Sequence, residues 1–210
     1  MRVGSLCTGI MGAELAMSMM GLNPELVWYS EIDPHACKLL AAKTDAPNLG
    51  NLKQIVWERV EPVDVLCAGY PCQPFSTAGN RKGTDDPRHL WPWIACALRV
   101  LRPRLALFEN VAAHLHLGFD EVLSDLAAFG FDAEWTTLRA SDVGSCHQRD
   151  RLFIVARDAQ RPRTDALAAP GGSRDAVGES DCGPAPDSDQ GRRELGSHGG
   201  WFGEVRNHAH

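Results

Sequence analysis

Five short stretches of this chain carry side chains that could do chemistry. Cys72 sits in Gly69-Tyr70-Pro71-Cys72-Gln73-Pro74-Phe75-Ser76, between two prolines that stiffen the loop and keep it out of a helix. A cysteine there is a nucleophile wherever its thiolate is stabilised. The plainer reading, a packed and inert thiol, suits Cys7, Cys37, Cys67 and Cys96. Glu109-Asn110-Val111 follows an apolar run and offers a candidate acid. His147-Gln148-Arg149-Asp150-Arg151 places two arginines two residues apart, on one side of an extended chain, as surface charges or as a grip on a base or phosphate. Thr8-Gly9-Ile10-Met11-Gly12 is a glycine turn that lets a ligand approach the backbone and its free N–H groups, though such turns are common without any ligand. Glu31 follows about 20 residues later, where an acidic side chain usually meets ribose hydroxyls. Together the turn and the acid point to a nucleoside cofactor without saying which one.

Each stretch abuts an apolar run. Strands are expected at 3–7, 26–30, 64–68, 105–108 and 152–156, and helices at 13–20, 34–43, 90–101 and 119–129, two of them closed by Gly21 and Gly130. Alternating strands and helices predict an α/β fold, a mostly parallel sheet with helices on both faces. Ligands in such sheets bind at the carboxyl ends of the strands, which here means just after Leu6, Ser30, Ala68 and Phe108.

The bulk properties narrow the function classes. The 210 residues suffice for one domain and a tail. No run of 18 apolar residues occurs, so no membrane span is expected, and the N-terminus lacks a signal-peptide shape, which favours the cytoplasm. The seven cysteines include no Cys-x-x-Cys pair, which argues for reduced thiols over a disulfide framework or a zinc site; no metal is expected. Residues 159–210 hold nine of the 20 glycines and four of the 13 prolines, but no Ile or Met. Such a segment buries too little surface to offset its ordering entropy, so the expected division is a folded domain over 1–158 and a largely disordered tail over 159–210. The net charge of -6 runs against a nucleic-acid partner unless a local basic face exists.

Taken in order, the glycine loop from Leu6 to Gly12, Glu31, Pro71-Cys72-Gln73, Glu109-Asn110-Val111 and Arg149-x-Arg151 resemble the DNA cytosine-5 methyltransferases over about residues 2–158. The resemblance implies a Rossmann-like methyltransferase fold that binds S-adenosylmethionine and acts on double-stranded DNA, as in restriction-modification systems. Cys72 would add to C6 of cytosine, Glu109 would hydrogen-bond N3 and the exocyclic amine, Arg151 would hold O2 and Arg149 would support the site. The target base would be flipped out of the duplex. The basic loop after the nucleophile, with Arg81, Lys82 and Arg88, resembles the family's closing loop. Cofactor contacts would come from Leu6, Cys7, Thr8, Gly9 and Gly12 after the first strand, Glu31 and Ile32 after the second, Asn51 and Leu52, and Gly69 and Pro71 before the nucleophile.

Three positions depart from the family pattern: Met11 replaces a glycine, Cys7 an aromatic residue and Asn51 an aspartate. Residues 159–210 resemble neither the target recognition domain nor the returning helix of the family. The expectation is therefore a fragment, one half of a split enzyme that takes recognition from a second polypeptide, or a non-catalytic remnant. A nicotinamide-dependent dehydrogenase would share Glu31 but not the cysteine motif. An amino-group DNA methyltransferase would need a different loop at Cys72.

Overall fold

The computed structural model describes residues 1–71 and 90–161 together with the strand at 202–205. Cys72, Gln73, the loop bearing Arg81, Lys82 and Arg88, and nearly all of the expected tail lie outside the described residues. The strands are β1 (Arg2–Leu6), β2 (Glu25–Ser30), β3 (Val65–Gly69), β4 (Leu105–Val111), β5 (Phe131–Arg139), β6 (Asp150–Asp158) and β7 (Phe202–Val205). The helices are α1 (Gly12–Met19), α2 (Pro34–Ala41), α3 (Trp91–Leu101) and α4 (Phe119–Ala128). The strands form one sheet in the order β2-β1-β3-β4-β6-β5-β7. The pairings β1–β2, β1–β3 and β3–β4 are parallel, whereas β6 runs antiparallel between β4 and β5, and β7 adds antiparallel to the edge at β5.

Side-chain alternation along the strands sorts the core into two layers. Leu66 and Ala68 of β3 join Ala106 and Phe108 of β4 and Leu152, Ile154 and Ala156 of β6 on the face covered by α3 and α4. Val3, Val65 and Cys67 point the other way, onto Met17 of α1. Local signals account for the helix ends. Asp33 caps α2 by accepting from the N–H groups of His35 and Ala36, and Pro34 occupies its first turn. At the end of α3, Arg102 adopts φ 47°, and its guanidinium reaches both carboxylate oxygens of Asp158 at 3.0 Å.

Two features differ from the sequence expectations. Strand β4 continues through Glu109-Asn110-Val111, so the candidate acid lies within the strand. Arg151 is likewise inside β6, opposite Val111, rather than ahead of the strand. The backbone at Arg149 is left-handed, φ 42°, so the extended geometry that would put Arg149 and Arg151 on one side is absent.

One packing constraint is unusually tight. At Gly4 an added Cβ would overlap the indole of Trp28, which is 2% exposed and donates from Nε1 to the Glu61 carbonyl at 2.8 Å. The Gly4→Ala change is expected to cost about 1–3 kcal/mol through overpacking. Urea unfolding should show a lower midpoint with an unchanged slope. An unchanged midpoint would mean that Trp28 has room to yield.

Candidate active site at the carboxyl ends of the parallel strands

The parallel half of the sheet brings the ends of β1, β2 and β3 around one cavity of about 280 Å³. Cys7, Glu31, Ile32, Asn51, Leu52 and Pro71, all expected from the sequence, line it. Ser30, Gly50, Lys53 and Leu90 line it as well and were not anticipated, although the first three each adjoin a residue that was. Four other expected residues frame the loop instead. Leu6 is fully buried in the core, the Thr8 hydroxyl donates to the Ser5 carbonyl, Gly9 donates to Glu31, and Gly12 opens α1.

Glu31 organises this cavity. Its Oε2 accepts the Gly9 N–H at 2.8 Å, and its Oε1 accepts those of Ile32 and Asp33 at 2.8 and 2.9 Å. A carboxylate offers about four lone-pair sites, so Oε2 keeps capacity for a ribose hydroxyl while the glycine turn stays anchored. Asn48, which the motif reading passed over, ties the second wall to the first. Its Oδ1 accepts from the backbone N–H groups of Glu31 and Gly50, and its Nδ2 donates to the Glu31 carbonyl at 3.1 Å. The only sequence signal for it is an Asn two residues before Gly50, a spacing at which Asn accepts from backbone N–H groups. The Asn51 carbonyl accepts the Lys53 N–H at 3.0 Å, and its second lone pair can still serve an adenine amine. These donors and acceptors, on a cavity with apolar walls, fit an adenine nucleoside.

Two departures from the family pattern have a visible backbone consequence. Cys7 and Met11 adopt φ 50° and 64°, a region that favours glycine, so the turn holds strain at the cavity mouth. Burial, with the Glu31 charge as a smaller cause, pushes the Cys7 thiol up to about 12. Burial also raises the Cys67 thiol, followed by the charge of Glu14. Neither thiol is poised as a nucleophile. Among the described residues Cys7, Cys37, Cys67 and Cys146 are free thiols.

The acid and one arginine meet directly. Glu109 on β4 and Arg151 on β6 are diagonal neighbours across an antiparallel pairing, and Arg151 Nε lies 2.7 Å from Glu109 Oε1. A second nitrogen of the same guanidinium donates to the Asp150 carbonyl at 2.9 Å. Arg149 stands apart, exposed, on the turn before β6. Gly69, the register partner of Glu109, joins the two parts of the site. A Cβ built on it would lie 3.6 Å from Glu109 Oε2 and 3.7 Å from the Cys7 carbonyl. The acid therefore sits within one residue's width of the cofactor turn, and Gly69-Tyr70-Pro71 leads from between them to Cys72. Among the described residues no cluster of His, Cys, Asp and Glu could hold a metal ion.

This arrangement agrees with what known proteins show. The family model for C-5 cytosine-specific DNA methylases matches residues 1–174. The type II methyltransferase M.NgoMIV of Neisseria gonorrhoeae is 31% identical over 157 residues, covering 72% of this chain and 50% of that protein. The orphan methyltransferase M.SPRI of Bacillus phage SPR is 33% identical over 163 residues, covering 74% and 37%. The chain thus spans half or less of the length of these relatives. Among solved structures, the Dnmt2 methyltransferase of S. pombe superposes with a TM-score of 0.65 at 21% identity, over 78% of this chain and 54% of that one. The Entamoeba histolytica methyltransferase EhMeth gives 0.63 at 22%, over 74% and 52%. At such identities these structures speak for the fold, an α/β methyltransferase sheet. The family-model match over residues 1–174 and these relatives place this chain in the C-5 cytosine-specific DNA methylase family.

Proposed function

We propose that this chain transfers a methyl group from S-adenosylmethionine to C5 of cytosine in double-stranded DNA, through a covalent adduct of Cys72. The observation that carries this reading is the meeting of Glu109 with Arg151 one residue's width from the cofactor turn, at the strand end that leads into Pro71-Cys72. Cytosine C5 is a poor nucleophile on its own. Addition of the Cys72 thiolate to C6 moves electron density to C5. Glu109 hydrogen-bonds N3 and the exocyclic amine of the ring, and Arg151 turns part of its donor fork to O2 while keeping the carboxylate aligned. When bound, S-adenosylmethionine supplies an electrophilic methyl group. Loss of the C5 proton and cleavage of the C6–S bond then return the thiolate and release 5-methylcytosine.

Cytosine in a duplex cannot reach Cys72 without flipping. Arg149 and the loop with Arg81, Lys82 and Arg88 are the cationic groups proposed to support the flipped base and the strand around it. Residues 1–158 form the catalytic domain in this reading, and the segment 159–210 does not read DNA sequence. Target recognition comes from outside these residues, in this reading from a second polypeptide. The type II and phage relatives favour a role in the cytoplasm of a bacterial or phage-infected cell. The second reading is a remnant that binds cofactor without turnover.

Calorimetric titration should detect S-adenosylhomocysteine and no NADH. Glu31→Ala should weaken that binding by roughly 1–3 kcal/mol, the worth of one or two hydrogen bonds to a charged group. Binding of NADH alone would overturn the cofactor assignment. With cofactor present, DNA carrying 5-fluorocytosine should trap a covalent adduct, because fluorine cannot leave as a proton does. Cys72→Ser should abolish the adduct and Cys67→Ser should leave it. An adduct that survives the Cys72 substitution refutes the nucleophile, and a parent chain that binds cofactor and flipped DNA without forming one is the remnant.

A further inference from the structure

The ladder between β3 and β4 ends at Gly69 and Glu109. One residue further along β3, a side-chain bond takes over. The Tyr70 hydroxyl lies 2.8 Å from Nε2 of His114, and Nδ1 of His114 lies 2.8 Å from the Leu117 carbonyl. A carbonyl only accepts, so in the neutral ring Nδ1 carries the proton, Nε2 accepts, and Tyr70 donates. Tyr70 is 3% exposed and His114 1%. The rings meet edge to face at 5.7 Å, with Trp91 packed on Tyr70 at 6.0 Å and Phe119 on His114 at 6.1 Å. Burial raises the Tyr70 hydroxyl well above its usual range, which keeps it a donor. Asn110, 2% exposed and adjacent to Glu109, belongs to the same nest, with its Oδ1 accepting the Val111 N–H at 2.8 Å.

Neither ring lines the cofactor cavity. Nor does the core require their polarity, since replacing both partners of a buried hydrogen bond by apolar groups of the same shape is close to neutral. What a directional bond adds is geometry. Tyr70 directly precedes Pro71-Cys72, and His114 lies in the 3-10 turn Ala112–His116 that directly follows the acid-bearing strand. Beyond the last ladder bond their contact ties these two departing segments, and a side-chain hydrogen bond between Tyr70 and Asn110 acts beside it.

We propose that Tyr70 and His114 are positioning residues: their hydrogen bond sets the separation between the segment leading to the nucleophile and the strand end that carries Glu109. The proposal rests on the reading of Cys72 and Glu109 as the reacting groups. Its test uses the full chain and three variants. Tyr70→Phe removes the hydroxyl and keeps the ring. His114→Asn keeps a donor near Nδ1 for Leu117 but nothing that reaches Tyr70. His114→Gln keeps an amide near Nε2 for Tyr70.

Three quantities are measured: the rate of covalent trapping on a 5-fluorocytosine duplex, the affinity for S-adenosylhomocysteine, and amide hydrogen exchange over 66–71 and 108–117. Tyr70→Phe and His114→Asn should slow trapping about tenfold, the scale of one lost hydrogen bond. Both should leave cofactor affinity unchanged and speed exchange in both peptides, while His114→Gln restores most of the parent behaviour. A merely structural role would lower cofactor affinity along with trapping and would not separate Gln from Asn. Unchanged trapping in Tyr70→Phe, or a Gln variant as slow as the Asn variant, overturns the proposal. If the parent chain forms no adduct on its own, exchange alone decides the clamp: unaltered exchange in Tyr70→Phe refutes it, and loosening in Tyr70→Phe and Asn with recovery in Gln upholds it.

Discussion

Everything at this site depends on parallel pairing. Strands β1, β3 and β4 run side by side in the same direction, with Leu6 opposite Ala68 and Gly69 opposite Glu109. Parallel strands must leave the sheet on the same edge, so three segments far apart in sequence are delivered to one place. The cost is that nothing in the ladder holds them once they depart. The hydrogen bonds beyond the strand ends meet that need. Glu31 captures the β1 turn, Asn48 ties Gly50 to the end of β2, and Tyr70 reaches His114 across the exits of β3 and β4. Each is a polar side chain spent on backbone or on another side chain at the rim of a site, where an apolar core cannot specify distance.

The antiparallel half serves a different purpose. A parallel crossover would place the next functional segment at the same edge but one strand spacing further out. By running back between β4 and β5, β6 starts where β4 ends, so Arg151 arrives opposite Val111 and its guanidinium lies diagonally over Glu109. The carboxylate is thus held from the strand beside it, with no loop required to close. A paired carboxylate and guanidinium on two adjacent strands is held more rigidly than one on a loop, which suits the two-atom contact with a flat ring proposed for Glu109.

Most of this was legible in the sequence, for reasons that also explain what was not. The apolar runs at 3–7 and 64–68 are buried on almost every residue, and those at 26–30, 105–108 and 152–156 carry the same near-continuous hydrophobicity although one face is only partly covered and Val155 is exposed. Glu109-Asn110 extends β4 without that signature, since a strand entering a polar site loses the composition that marks it. Phe131–Arg139 was readable by period: Phe131, Ala133 and Trp135 alternate with Asp132, Glu134 and Thr136, but the run is short of aliphatics and was passed over. The four residues of β7 have no local signal of their own, and the open edge of β5 makes them a strand. Asn48 and His114 were missed because neither belongs to a motif. Each acts through a partner 17 to 44 residues away, and a single sequence does not display such pairs.

The acidity of the chain bears on how DNA is held. The segment 159–210 carries six arginines and eight acidic residues, a net of -2, so residues 1–158 keep -4, from 15 basic against 19 acidic residues. Removing the tail therefore uncovers no basic domain. Many of the described arginines are already engaged: Arg2 with Glu61, Arg102 with Asp158, Arg139 with Asp150, Arg151 with Glu109 and Arg157 with Asp132. A guanidinium paired within the protein releases fewer counterions when it meets phosphate, because part of its charge is already neutralised. Affinity for the duplex then cannot arise from the described surface as a whole. In the proposed reading it rests on few groups, chiefly Arg149 and the basic residues after Cys72, together with a recognition part from elsewhere. In that reading a domain built this way is quiet toward bulk DNA until it is guided to a site.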